Sequence, residues 1–234
     1  MDLKECDADD RLGFVRKVYM ILFAQLGITA GFTFIGITST TMAAWMYDNV
    51  WLYIVLAIFG VCLQCTILCC RNVARKVPVN YILLLLFTGC EAYFVCWLCQ
   101  YYTYIPQLNT FDPDGYRTVG VALAMTMGLV TAITVYAWTT KTDFTRKMGF
   151  IWVFAISFMM LGIFSIFFYS YILRMVICAI GVCLFGLYLI FDTQLILGEG
   201  RHSLSIDDYI LGAMILYMDI IMIFVYLLQL VGGR

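Results

Sequence analysis

Seven apolar runs, each long enough to cross a lipid bilayer, follow one another along this chain of 234 residues. They cover residues 18–39, 50–70, 79–101, 119–138, 150–169, 175–196 and 208–230. About 20 apolar residues in helical form span the roughly 30 Å hydrocarbon core of a membrane. Lipid offers backbone N–H and C=O groups no hydrogen-bond partner, so only helices or closed barrels can cross it. Barrel strands would show alternating segments of about 10 residues, whereas these runs are solid. The sequence therefore predicts an all-α membrane protein, a bundle of seven transmembrane helices. With 64% hydrophobic and 12% charged residues, the composition excludes an ordinary soluble domain. Residues 1–17 read as a cytosolic lead, 18–230 as the transmembrane domain and 231–234 as a short tail.

The basic residues orient the bundle. With the N-terminus in the cytosol, eleven of the 14 Lys and Arg residues fall on that side, leaving Arg117, Arg174 and Arg234 opposite. This satisfies the positive-inside rule, and the reverse orientation inverts it. Tyr47, Trp51, Tyr101, Tyr102, Tyr104 and Tyr116 gather at the other boundary like an aromatic belt. The first apolar run is too long for a cleavable signal and is expected to act as an uncleaved anchor.

Three acids stand where hydrocarbon disfavours them: Glu91, Asp192 and Asp219. An aspartate at a helix centre costs about 2.5–3.5 kcal/mol on insertion scales, so such residues mark ion or proton pathways. At 1.5 Å rise per residue, Glu91 lies roughly 16 Å along the third span and Asp219 roughly 18 Å along the seventh, both near the midplane. Asp192 lies roughly 25 Å along the sixth, in the cytosolic half. Two aspartates on consecutive antiparallel helices can approach each other. A gated polar path is favoured over three independent hydrogen-bonded acids, and oxygen ligands suit a hard cation such as Ca²⁺.

Other features have plainer readings. The face Gly27-Ile-Thr-Ala-Gly31 suits close helix contact. Asn109 to Gly115 reads as a turn in which Asp112 and Asp114 are solvated, in preference to a lumenal calcium site. Ser205 or Asp207 is expected to cap the last helix. Of the 10 cysteines, Cys62, Cys65, Cys69 and Cys70 fall in the second run. Packing between helices is the favoured reading, over S-acylation of Cys69 or Cys70 and over zinc. One histidine, His202, cannot build a metal-dependent hydrolase.

An ordered set of motifs resembles the lifeguard proteins of the transmembrane Bax-inhibitor-motif family. It begins with Asp10-Arg-Leu-Gly-Phe-Val-Arg-Lys-Val-Tyr-Met-Ile-Leu22 and Gln25-Leu26, and continues with Pro78-Val-Asn80, Glu91-Ala92 and the stretch from Tyr136 to Phe144. It ends with Phe191-Asp-Thr193, Asp208-Tyr-Ile-Leu and Leu216-Tyr-Met-Asp-Ile220. The resemblance implies six helices around a central C-terminal one. It implies a pH-sensitive calcium leak channel of internal membranes that restrains apoptosis, and no enzyme. The gate and pH sensor would be a hydrogen-bonded pair, Asp192 and Asp219, which would also hold Ca²⁺ transiently; Glu91 and Asp219 would line the ion pathway. An arginine latch would fall on Arg71 or Arg75. Calcium enters as permeant ion, with no cofactor. Partners are the lipid bilayer and apoptosis regulators or other calcium channels, with no nucleic acid. The membrane would be that of the endoplasmic reticulum or Golgi, with the plasma membrane as the other location. Against lifeguard proteins with long Pro-rich N-terminal tails, residues 1–17 are read as a short acidic lead.

Rival classes fit less well. An intramembrane aspartyl protease places Gly-x-Gly before its second aspartate, whereas Tyr217-Met218 precede Asp219. A seven-helix receptor lacks its coupling loops here. A non-conducting anti-apoptotic interaction protein remains the alternative to a channel.

Overall fold

The computed structural model describes residues 3, 7–168, 170–198 and 204–233. Seven of its helices are long and apolar enough to cross a membrane. In chain order the helices are α1 (Ala8–Thr38), α2 (Thr40–Asp48), α3 (Val50–Cys69), α4 (Arg71–Ala74), α5 (Val79–Thr103), α6 (Pro113–Thr139), α7 (Met148–Phe167), α8 (Tyr171–Leu197) and α9 (Tyr209–Gly232). The protein is an all-α, multi-pass membrane protein. The spans differ in how much of them is enclosed: 67% of the apolar window is buried in the last span and 6% in the fifth. Polar groups that must be kept from lipid therefore belong on α9.

Several elements depart from the sequence reading. Helix α1 starts at Ala8, well before the apolar run, and its first turn carries Asp9 and Asp10, which suit the positive end of a helix dipole. Residues 40–48, expected as a connection, form α2. Ser39 begins it by accepting the Met42 N–H at 3.3 Å, and Ala43 and Met46 are buried. The expected turn around residues 109–115 includes half of a small hairpin, in which β1 (Tyr104–Ile105) pairs antiparallel with β2 (Thr110–Phe111). Asn109 takes the left-handed conformation that the hairpin requires. Asp112 accepts the Asp114 N–H at 3.0 Å, as a turn residue does. A 3₁₀ turn, Ile206–Asp208, leads into α9.

The Cα trace resolves into two packing units. One comprises Arg16–Val119 and Asp207–Tyr217. In it α3 lies along α5, where Tyr53 stacks on Phe94 at 5.6 Å between ring centroids and meets Trp97 in a tilted contact at 4.5 Å. Helix α1 meets α5 at Gly36, where an added Cβ would stand 2.1 Å from the Cys96 sulfur. The same approach lets Gln100 donate to the Gly36 carbonyl at 2.9 Å. Gly27 and Gly31, expected to make the close contact, are exposed and have nothing within 4 Å of an added Cβ. The two are on the wrong face of α1, which turns Gln25, Thr29 and Thr33 inward instead.

The cysteines divide. Cys90, Cys96, Cys99 and Cys178 are buried, whereas Cys62, Cys65, Cys69 and Cys70 are exposed. Helix α3 buries Gly60, Leu63 and Ile67, and the cysteine stripe occupies another face. For those four the packing reading is wrong.

The other unit comprises Met1–Val15, Gly120–Ile206 and Met218–Arg234. Here α7 and α8 pack together, and Gly181 admits the Tyr226 ring so closely that a Cβ would stand 2.8 Å from it. The Tyr226 ring also meets Phe158 and Phe185, each at 5.8 Å between centroids. Gly198 ends α8 in the left-handed conformation. Gln194 ties down the connection between α6 and α7, accepting from the Phe144 N–H and donating to the Thr142 carbonyl, both at 2.9 Å.

Candidate functional site

Asp192 and Asp219 are brought together. Asp192 stands five residues before the C-terminal end of α8, and Asp219 stands ten residues into α9. Their side chains hydrogen-bond to each other, which requires one proton between the two carboxyl groups. Asp219 is 5% exposed, and its Oδ2 has no hydrogen-bond partner among the described residues. The Tyr188 hydroxyl, one turn before Asp192, feels both carboxyl groups electrostatically. Thr193 Oγ1, next in sequence to Asp192, is also buried and has no hydrogen-bond partner among the described residues. The two carboxyl groups share one proton, and acceptor capacity is left over on Asp219 Oδ2.

Glu91 lies in the other unit, on α5, half-buried against α3. Gly60 of α3 faces it: a Cβ there would lie in ordinary contact with its Oε1, at 3.6 Å. Tyr53 and Tyr217 lie within its electrostatic reach. Tyr217 anchors α9 by a 2.7 Å hydrogen bond with Thr29 and by an edge-on contact with Phe87, at 6.0 Å between centroids.

In the same unit the latch candidates part company. The Arg71 side chain lies outside the described residues. Arg75 donates two hydrogen bonds to Asp208, Nε to Oδ1 at 2.7 Å and Nη2 to Oδ2 at 2.8 Å. This fork is the strong geometry for an arginine and a carboxylate. It also raises the Arg75 pKa above the usual arginine value, the hydrogen bond to Asp208 contributing most. Asp208 itself is 7% exposed. Next to it, Tyr209 receives a hydrogen bond from Asn80 at 3.3 Å, and the Lys17 ammonium sits 3.4 Å from the centre of its ring. Sequence reasoning singled out Arg75 but missed Asp208 as its partner. The signal was present, because Pro78-Val-Asn80 and Asp208-Tyr-Ile-Leu are two of the motifs quoted above, and the fold joins them.

The family model for the inhibitor of apoptosis-promoting Bax1 matches residues 11–234. Similar proteins include Protein lifeguard 3 of Mus musculus, 34% identical over 97% of this chain and 71% of its own length. Protein lifeguard 3 of Homo sapiens is 35% identical with the same coverage. Bax inhibitor 1 of Schizosaccharomyces pombe is 29% identical over 97% of this chain and 79% of its own.

Proposed function

Because this chain belongs to the family of inhibitors of apoptosis-promoting Bax1, we propose that it restrains apoptosis as a pH-sensitive, calcium-permeable leak channel of an internal membrane. The observation that carries this reading is the hydrogen-bonded pair Asp192 and Asp219, held within the membrane-spanning helices α8 and α9. A structural carboxyl group in lipid is best fully satisfied, yet Asp219 Oδ2 has no hydrogen-bond partner among the described residues. While the proton is shared, it joins α8 to α9. When it leaves, two like charges repel each other and present several oxygen atoms to a divalent cation. Glu91 supplies a further acidic station on the pathway. Arg75 and Asp208 act as a latch at the entrance to α9, with Arg71 as the other latch candidate.

In this reading the N-terminus faces the cytosol and the membrane is that of the endoplasmic reticulum or Golgi. The protein acts without an organic or metal cofactor, and Ca²⁺ is the permeant ion. The test is flux. Purified protein in liposomes containing a calcium dye should admit Ca²⁺, and Asp219→Asn should reduce the rate sharply. Wild-type flux equal to that of empty liposomes would sink the channel reading and favour a non-conducting interaction protein.

A further inference from the structure

We propose that Cys69 and Cys70 form an S-acylation site that takes long-chain fatty acyl groups from acyl-CoA. Both are free thiols on the outside of the protein. Helix α3 ends at Cys69, and Cys70 closes it by donating its N–H to the Thr66 carbonyl. Only 17% of the apolar window of α3 is buried, so this helix presents most of its surface outward. Immediately beyond it come Arg71, Arg75 and Lys76. The two thiols therefore stand where hydrocarbon gives way to a basic, water-facing loop. An acyl chain attached there can lie back into lipid while the thioester stays within reach of a surface enzyme, the usual placement of juxtamembrane acylated cysteines.

Other uses of these cysteines fit poorly. A packing role would bury them, as it buries Cys90, Cys96, Cys99 and Cys178. Among the described residues, no three His, Cys, Asp or Glu side chains gather as a metal set. Depth then separates them from the other exposed thiols among the described residues. Cys65 and Cys62 lie about 6 and 10 Å farther into the hydrocarbon along α3, and Cys183 sits near the middle of α8. Exposure alone does not make a site; exposure at the boundary does.

The transfer balances without a redox partner. The Cys sulfur, as thiolate, attacks the acyl carbonyl carbon, and the bond from that carbon to the CoA sulfur breaks. The departing CoA thiolate takes up a proton equivalent to the one the cysteine lost. A membrane acyltransferase supplies the base. Acylation would pin the connection between α3 and α5, which carries Arg75, to the bilayer surface.

Acyl-CoA is cytosolic, so this site rests on the proposed orientation. The experiment uses the full chain with an N-terminal tag, expressed in cells fed an alkyne fatty acid. Wild type should be labelled, and neutral hydroxylamine should remove the label. Cys69→Ser together with Cys70→Ser should lose most of it, while Cys62→Ser with Cys65→Ser, and Cys183→Ser, should keep it. Each variant is checked for a single gel-filtration peak in detergent. Undiminished label in the Cys69/Cys70 variant, or an unlabelled wild type, overturns the proposal. Protease access to the tag in permeabilised cells says whether the site or the orientation failed. Neither failure bears on flux through Asp192 and Asp219, which the liposome assay reads separately.

Discussion

At the scale of single residues, the two carboxyl groups of Asp192 and Asp219 behave as one titrating unit, because each exists in a hydrogen bond that needs the other. A coupled pair loses its protons in steps that belong to neither residue alone. Asp192→Asn or Asp219→Asn should therefore each flatten the dependence of calcium flux on pH between about 5 and 8, and the double variant should add little. An unchanged profile in the double variant would move the sensor to Glu91. Arg75 cannot supply that dependence. Its pKa is raised by Asp208, so its stabilising charge is fully present below the usual arginine range and is lost only as pH climbs through the higher value. Its contribution is to stability. Exposed ion pairs contribute about 0.2–1 kcal/mol, and stranding one member of a buried pair costs about 3–5 kcal/mol. Asp208 is nearly buried, but the Arg75 side chain is 36% exposed and screened by water. Arg75→Gln should thus destabilise the protein by on the order of 1–2 kcal/mol, between those two limits. Arg75→Gln with Asp208→Asn should recover part of that loss, since no buried charge is then left alone. Thermal unfolding in detergent of the two single variants and the double variant measures both effects.

At the scale of helices, hydropathy made the spans legible but not their faces. In lipid an apolar residue looks the same to an amphipathic pattern whether it meets a neighbour or an acyl chain, so periodicity carries little information about packing. That is why Gly27 and Gly31 looked like a contact face, while the approach occurs at Gly36, whose neighbour Cys96 belongs to a helix distant in sequence. The cysteines of α3 misled for the same reason, and only the buried stripe of Gly60, Leu63 and Ile67 assigns their side of the helix. The α1 contact gives a test. Gly36→Ala would set a Cβ 2.1 Å from the Cys96 sulfur, whereas Cys96 Cβ stands at an acceptable 3.8 Å. Gly36→Ala should cost about 1–3 kcal/mol, as overpacking does. Adding Cys96→Ala should restore part of the loss by removing the sulfur, although Gln100 at 3.1 Å stays tight. Gly27→Ala and Gly31→Ala should leave the melting temperature nearly unchanged. A drop for these two equal to that for Gly36→Ala would contradict the packing described for α1.

At the scale of the whole molecule, what the chain makes most legible is its course through the membrane, because that depends on run length and charge and not on side-chain fit. The seven predicted runs correspond to the seven helices long and apolar enough to span, although the helices begin or end up to ten residues away from the runs. Asp192 and Asp219 were legible for a related reason. Acids are so disfavoured in lipid that their mere presence in two adjacent spans marks them, and an antiparallel connection lets them meet. Asp208 was not, because an acid at a helix entrance is ordinary and its pairing with Arg75 joins residues 133 positions apart. In the proposed orientation, which rests on eleven basic residues against three, the N-terminus faces the cytosol and seven crossings would put the two ends on opposite sides. Tags at the two ends should accordingly differ in selectively permeabilised cells, the N-terminal one cut by added protease and the C-terminal one protected. Reversed protection would mean that the charge bias has been overruled. Equal protection of both tags would require one apolar helix to enter and leave on the same side. The least buried, α7, would then be the first to examine, because 6% burial leaves it little contact within the protein to hold it across the bilayer.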